Sequence, residues 1–190
     1  MGLRVPSRFA KATIESLDPK QFTPVIEYAA DMLANIRRGR GLLLAGKPGV
    51  GKTWAITALT REYVLRGGVR RFPDYEFVTA PDFFEHLRDF DEDNWDVYRQ
   101  RSWLDTYTTI PWLVINDLGK EYRGGKLGEV IPYLLGRVLR ARSEKRLVTH
   151  VTTNLDSTAT LSLYGESIMS LLSEMMTTVT VLGRDRRMAG

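Results

Sequence analysis

The chain has 190 residues, a formal net charge of +4, 43% hydrophobic residues and 26% charged residues, ordinary values for one soluble domain with a sizeable core. It contains no cysteine and two histidines, His86 and His150, which excludes structural disulfides, thiolate zinc sites, a cysteine nucleophile and a histidine-rich metal site. No run approaches the roughly 18 apolar residues of a membrane helix and the leading residues lack the apolar core of a signal peptide, so a cytoplasmic protein without a membrane partner is expected.

Residues 1–20 read as an irregular leading segment broken by Pro6 and Pro19. Val25, Ile26, Ala29, Met32, Leu33 and Ile36 then recur at helical spacing and predict an amphipathic helix over 24–38. Pro24 suits its first turn, and Gly39 and Gly41 end it. Leu42–Ala45 is an apolar run too short for a helix and reads as a buried strand. After a glycine-rich turn, helical spacing returns over 52–66, with Ile56, Leu59, Tyr63 and Val64 on one face, until Gly67 and Gly68 stop it. A strand over 76–80, a helix opening at Pro81 and running to about Phe90, and a helix over 94–108 follow. Further on, 112–115 reads as a strand, 127–143 as a long helix tolerating Pro132 in its second turn, 147–153 as a strand, 165–176 as a helix and 177–182 as a fifth strand. Strands alternating with helices predict an α/β fold, a parallel five-stranded sheet covered on both faces, with ligands at the carboxyl edge of the strands.

Charge is unevenly distributed. Residues 1–52 carry nine Lys/Arg against four acids, residues 82–96 carry seven acids against Arg88, and residues 137–146 carry five basic residues against Glu144. Such a dipolar chain suits head-to-tail self-association or a polyanion partner, and equally reads as solvated helix faces.

Three polar motifs directly follow three of the predicted strands. The first, Gly46-Lys47-Pro48-Gly49-Val50-Gly51-Lys52-Thr53, has the spacing of a phosphate-binding loop. Glycines let backbone N–H groups turn inward around phosphate oxygens, and the following helix N-terminus adds partial positive charge. Lys52 can reach the β- and γ-phosphates, and the Thr53 hydroxyl can bind Mg²⁺. Trp54, next in the chain, is counted with these nucleotide-binding residues, although the tryptophans at 54, 95, 103 and 112 are expected chiefly to pack. The second motif ends the strand at Asn116-Asp117, where a P-loop ATPase holds Mg²⁺ and polarises the attacking water. A neutral asparagine at the first position holds a hydrated metal more weakly than a carboxylate. ATP binding with slow or conditional hydrolysis is therefore expected, with Thr53, Asn116 and Asp117 as metal candidates and Lys52 and Asp117 as catalytic candidates. The third motif, His150-Val151-Thr152-Thr153-Asn154, puts a polar residue where a γ-phosphate can be sensed or a water oriented, and makes Asn154 the third catalytic candidate.

Together these segments resemble the DnaC/IstB-like AAA+ ATPases. The likeness includes Val5-Pro6-Ser7-Arg8-Phe9 with Ala12-Thr13-Ile14-Glu15, the phosphate loop, Leu113–Gly119, a helix ending Arg140-Ala141-Arg142, Val151–Leu155 and the closing Gly183–Arg187. It runs from about Val5 to Arg187 in the family's order. It implies a single AAA+ domain over 1–190, Asn154 as the γ-phosphate sensor, and ATP with Mg²⁺ as cofactors. It also implies homo-oligomers with ATP at subunit interfaces, single-stranded DNA as a partner, and either a replicative helicase or a transposase as the protein partner. The chain departs from the family pattern at Asn116. It departs again at Ser167 and Leu171, where the family carries two arginines, one of which reaches a neighbour's phosphate; Arg140, Arg142 and Arg184 are the candidate substitutes. No separate helicase-binding region is expected before Val5, so the partner contact is expected elsewhere on the chain or on another subunit. Helicase loading is the leading expectation, and a transposase assistant or a weakly or non-hydrolysing scaffold whose assembly ATP stabilises stay open.

The segment Gly119–Lys126 mixes cations, glycines and one aromatic residue. Cations contact phosphates and Tyr122 could stack on a base, so Lys120, Tyr122, Arg123 and Lys126 are candidate DNA contacts, against the plainer reading of a solvated loop.

Overall fold

The computed structural model describes residues 5–68, 74–85, 97–121, 124 and 127–185. Five strands, β1 (Gly41–Ala45), β2 (Tyr75–Thr79), β3 (Trp112–Leu118), β4 (Val148–Thr153) and β5 (Met176–Thr180), form one sheet in the order β2-β3-β4-β1-β5. Every pairing is parallel. Two helices, α1 (Pro19–Ala30) and α2 (Met32–Arg38), precede β1; parallel neighbours need crossovers, and α3 (Lys52–Tyr63), α4 (Ala80–Phe83), α5 (Val97–Thr109), α6 (Leu127–Glu144) and α7 (Ser157–Met175) lie in these.

Strand β1 and the first part of β3 are apolar because both faces are covered. Leu42, Leu44, Trp112 and Val114 pack with residues of α1, α2 and α3 on one face. Leu43, Leu113, Ile115 and Val151 pack with α4, α6 and α7 on the other. Period-two alternation thus divides each strand between two cores. Each buried large side chain contributes on the order of 2 kcal/mol.

Helix starts and stops differ from the sequence expectation for identifiable reasons. The first helix begins at Pro19 rather than at residue 24, because Asp18 caps it by accepting from the Lys20 N–H at 3.0 Å. A break at Asp31 (φ −97°, ψ 23°) separates α1 from α2. It turns Leu33, expected inside, out to 64% exposure, while Phe22 and Tyr28 are buried instead. The helix opening near Pro81 ends at Phe83, with Phe84 (φ −104°, ψ 8°) as its cap; its expected continuation from 86 to 90 lies outside the described residues. The last helix starts eight residues before position 165, at Ser157, capped by Asp156. It is interrupted at Gly165 (φ 80°, ψ 169°).

Helix α3 is buried on more than one face. Besides Ile56, Leu59 and Tyr63, residues Ala55, Thr57, Ala58 and Thr60 are buried. The leading segment is the reason: it makes two short 3₁₀ turns, Ser7–Phe9 and Ile14–Ser16, that contact α3. Ala12 and Leu17 are buried beneath it, and Arg61 donates to the Ala10 carbonyl at 3.0 Å. Among the described residues no helix is long and apolar enough to cross a membrane.

Candidate nucleotide site

The carboxyl ends of β1, β3 and β4, neighbours in the sheet, deliver the three motifs to one place. The loop after β1 needs glycine: a Cβ on Gly46 would lie 2.3 Å from the Val181 carbonyl oxygen, and Gly49 and Gly51 have φ of 79° and 102°. The Gly46 N–H donates to the Thr153 carbonyl at 3.2 Å, tying the loop to β4. Val50 is buried in the core rather than facing outward, and its carbonyl accepts from Gln21.

Lys52, the first residue of α3, is only 5% exposed. Its ammonium donates to the Gly46 carbonyl at 2.7 Å, the Lys47 carbonyl at 2.8 Å and the Asn154 Oδ1 at 2.8 Å. Beside it the Thr53 hydroxyl donates to Asn116 Oδ1 at 3.0 Å. The same oxygen accepts from the Thr152 hydroxyl at 2.9 Å, and Thr152 Oγ1 in turn accepts from the Asp117 N–H. Two hydrogen-bonded pairs, Lys52 with Asn154 and Thr53 with Asn116, thus bring adjacent residues of the loop against the ends of two other strands.

Asp117 follows Asn116 across an irregularity of β3 and has a left-handed φ of 64°. Its carboxylate pairs with the Lys120 ammonium at 2.7 Å. The next residue, Glu121, is buried and accepts from the Gly119 N–H at 2.8 Å and from the Tyr164 hydroxyl. Tyr122, Arg123 and Lys126 lie outside the described residues, as do His86 and Trp95.

A cavity of about 320 Å³ opens over these groups, with Gly49, Lys52, Thr53, Asp117, Lys120 and Asn154 in its polar lining. Its remaining wall includes Phe9, Ser16, Pro48 and Trp54. Trp54 both packs and lines the site: Phe9 meets it edge-to-face at 6.4 Å, and its indole N–H donates to Ser16 Oγ at 2.9 Å. Phe9 and Ser16 belong to the segment expected to be irregular. In the sequence, Phe9 enters only within the Val5–Phe9 stretch of the family resemblance, and Ser16 is marked by no pattern.

One candidate arginine is removed by the fold. Arg142 is fully buried and donates to Thr149 Oγ1 and to the carbonyls of Tyr107, Ile110 and Val148 at 2.6–2.8 Å. Burial pulls its pKa down to about 9, which leaves it charged at neutral pH. It holds α6 to the sheet and cannot reach another subunit. Arg140 and Arg184 are exposed, and Arg140 donates to Ser167 Oγ at 2.6 Å. His150 is also structural: its Nδ1 accepts from the Leu42 N–H at 3.1 Å, and its ring lies against Trp112 and Tyr28. Burial, with the Arg142 charge adding to it, pushes its pKa down to about 3.

The chain matches the family described as IstB-like ATP binding protein over residues 8–176. Comparison with curated proteins finds no match. Among solved structures it is similar to the crystal structure of the DnaI, with a TM-score of 0.75 and 22% identity over 97% of this chain and 95% of that one. It is similar also to the DnaC helicase loader, with a TM-score of 0.72 and 24% identity over 93% of this chain and 100% of that one. A replication initiator, DnaA bound to AMPPCP and single-stranded DNA, gives a TM-score of 0.71 and 16% identity over 93% of this chain and 52% of that one. At these identities the likenesses establish the fold.

Proposed function

The chain belongs to the IstB-like ATP-binding family, and from that footing we propose that it is an AAA+ ATPase that loads a replicative helicase onto single-stranded DNA. The observation that carries the nucleotide part is the pair of hydrogen bonds, Lys52 to Asn154 and Thr53 to Asn116, at the ends of three adjacent strands. In this reading, backbone N–H groups of Gly46–Thr53 surround the phosphates, and Lys52 exchanges its carbonyl partners for phosphate oxygens. Asn154 meets the terminal phosphate. Phe9 and Trp54 offer an aromatic wall to the base.

Mg²⁺ fits the donors present. Thr53 Oγ1 and Asn116 Oδ1 are hard oxygens 3.0 Å apart, and Mg²⁺ keeps several waters and takes few protein ligands. Both are neutral, so the metal would be held largely by the phosphates, whose charge it neutralises when bound. Asp117 is the carboxylate nearest this pair in sequence and the candidate to orient water.

The helicase part rests on likeness to the DnaC helicase loader and the DnaI, and the DNA part on the cationic segment 120–126. Self-association with ATP between subunits would use the exposed Arg140 or Arg184. A reconstituted unwinding assay tests the reading, with the host's replicative helicase offered a protein-coated single strand. Stimulation that needs ATP and is lost in Lys52→Ala supports loading. No stimulation, together with ATP-dependent capture of a transposase, would move the function to transposition.

A further inference from the structure

Lys120, the first cation of the segment proposed to meet DNA, stands out because it also borders the cavity. It lines the cavity with Lys52, and its ammonium sits 2.7 Å from the Asp117 carboxylate. The backbone on either side is fixed. Asp117 has φ 64° and is held through its N–H by Thr152. A Cβ on Gly119 would fall 2.6 Å from a Leu155 methyl, so that turn is pressed against the start of the α7 segment. Glu121 is buried and anchored to Gly119 and Tyr164. Lys120 is therefore a long flexible side chain on a rigid base.

Charge then decides what it does. Among the residues lining the cavity, Lys52 and Lys120 are the cations and Asp117 is the anion. Lys52 comes from the β1 side and Lys120 from the β3 side, with Asn154 from β4 between them. A terminal phosphate placed at Asn154 would face the Asp117 carboxylate, a like charge. The Lys120 ammonium, with 47% of its side chain exposed, can turn from Asp117 to that phosphate or bridge the two at little cost in ordering. A diphosphate, one phosphoryl group shorter, would leave the Lys120–Asp117 pair intact.

We infer that Lys120 is a specificity-determining residue for the triphosphate: it neutralises Asp117 when no terminal phosphate is present and engages that phosphate when one is. This rests on the nucleotide reading above.

Calorimetric titration of the full chain with AMPPCP and with ADP, both with Mg²⁺, tests it in wild type, Lys120→Met, Lys120→Arg and Lys52→Ala. The inference predicts that Lys120→Met weakens AMPPCP binding on the order of tenfold, the loss of one charge-assisted hydrogen bond. ADP affinity should stay essentially unchanged, and Lys120→Arg should restore much of the preference. Equal effects on both nucleotides, or none, would overturn it while Lys52→Ala still loses both. If Lys52→Ala binds both as wild type does, the nucleotide reading has failed and the inference falls with it.

Discussion

The Lys52 ammonium donates to Asn154 Oδ1 at 2.8 Å, joining the first residue of α3 to the first residue beyond β4. Strand β4 pairs with β1, so this bond spans neighbouring strand ends and sits where the phosphate loop opens. Two polar side chains that meet phosphate in the proposed function are thereby held close together, which lowers the cost of ordering them around it.

Asn116→Asp should make nucleotide binding less demanding of Mg²⁺. Its Oδ1 accepts from the Thr53 and Thr152 hydroxyls, and a carboxylate keeps both acceptors while adding charge beside the metal's place. The Mg²⁺ concentration for half-maximal ATP binding should fall by about threefold or more, a modest share of a charge-assisted contact. An unchanged half-point, measured by titrating Mg²⁺ at fixed ATP, would show that Asn116 is not near the metal.

Acid should destabilise the chain through His150. The unfolded histidine takes a proton as pH falls through its ordinary value of 6.5, whereas the folded one resists until about 3. The folded state binds fewer protons in that window, so this contribution is complete above pH 6.5 and is lost as pH falls toward 3. The slope is about 1.4 kcal/mol per pH unit. Urea unfolding at several pH values should show a shallower decline for His150→Asn than for wild type, even if the variant is weaker at pH 7. Parallel curves would contradict the assignment.

Much of the site was legible because its signals are local. The phosphate loop lies within eight consecutive residues, Asn116 ends an apolar run, and Asn154 directly follows the strand at 147–153. Their convergence required only that the strands be parallel neighbours. Asp156 caps α7 by accepting from the Ala159 N–H, yet the sequence pattern places the start of this helix at residue 165, because the break at Gly165 (φ 80°) resets the period. Phe9 appears in the sequence only through the family resemblance, and Ser16 was beyond reach: the Ser16–Trp54 hydrogen bond joins residues 38 apart, with no pattern marking it. Arg142 misled in the opposite way. A charged residue near a helix end suggests the surface, but it lies on the same helical face as the buried Val138 and Leu139.

Arg142→Met should therefore act on stability. It would strand a hydroxyl and three carbonyls that the guanidinium now satisfies, costing at least about 3 kcal/mol. Arg140→Met, at an exposed position on the same helix, should cost less than about 1 kcal/mol. Chemical denaturation of the two variants separates them, and equal effects would place Arg142 at the surface.

The most direct test of the account is ATP binding by wild type and Lys52→Ala, followed calorimetrically with Mg²⁺ present and with circular dichroism confirming the fold. Saturable binding by wild type, weakened on the order of a hundredfold or more in the variant, is the result the account predicts. Undiminished binding by a folded Lys52→Ala would contradict it, because the cavity at the ends of β1, β3 and β4 would not be where the nucleotide is held.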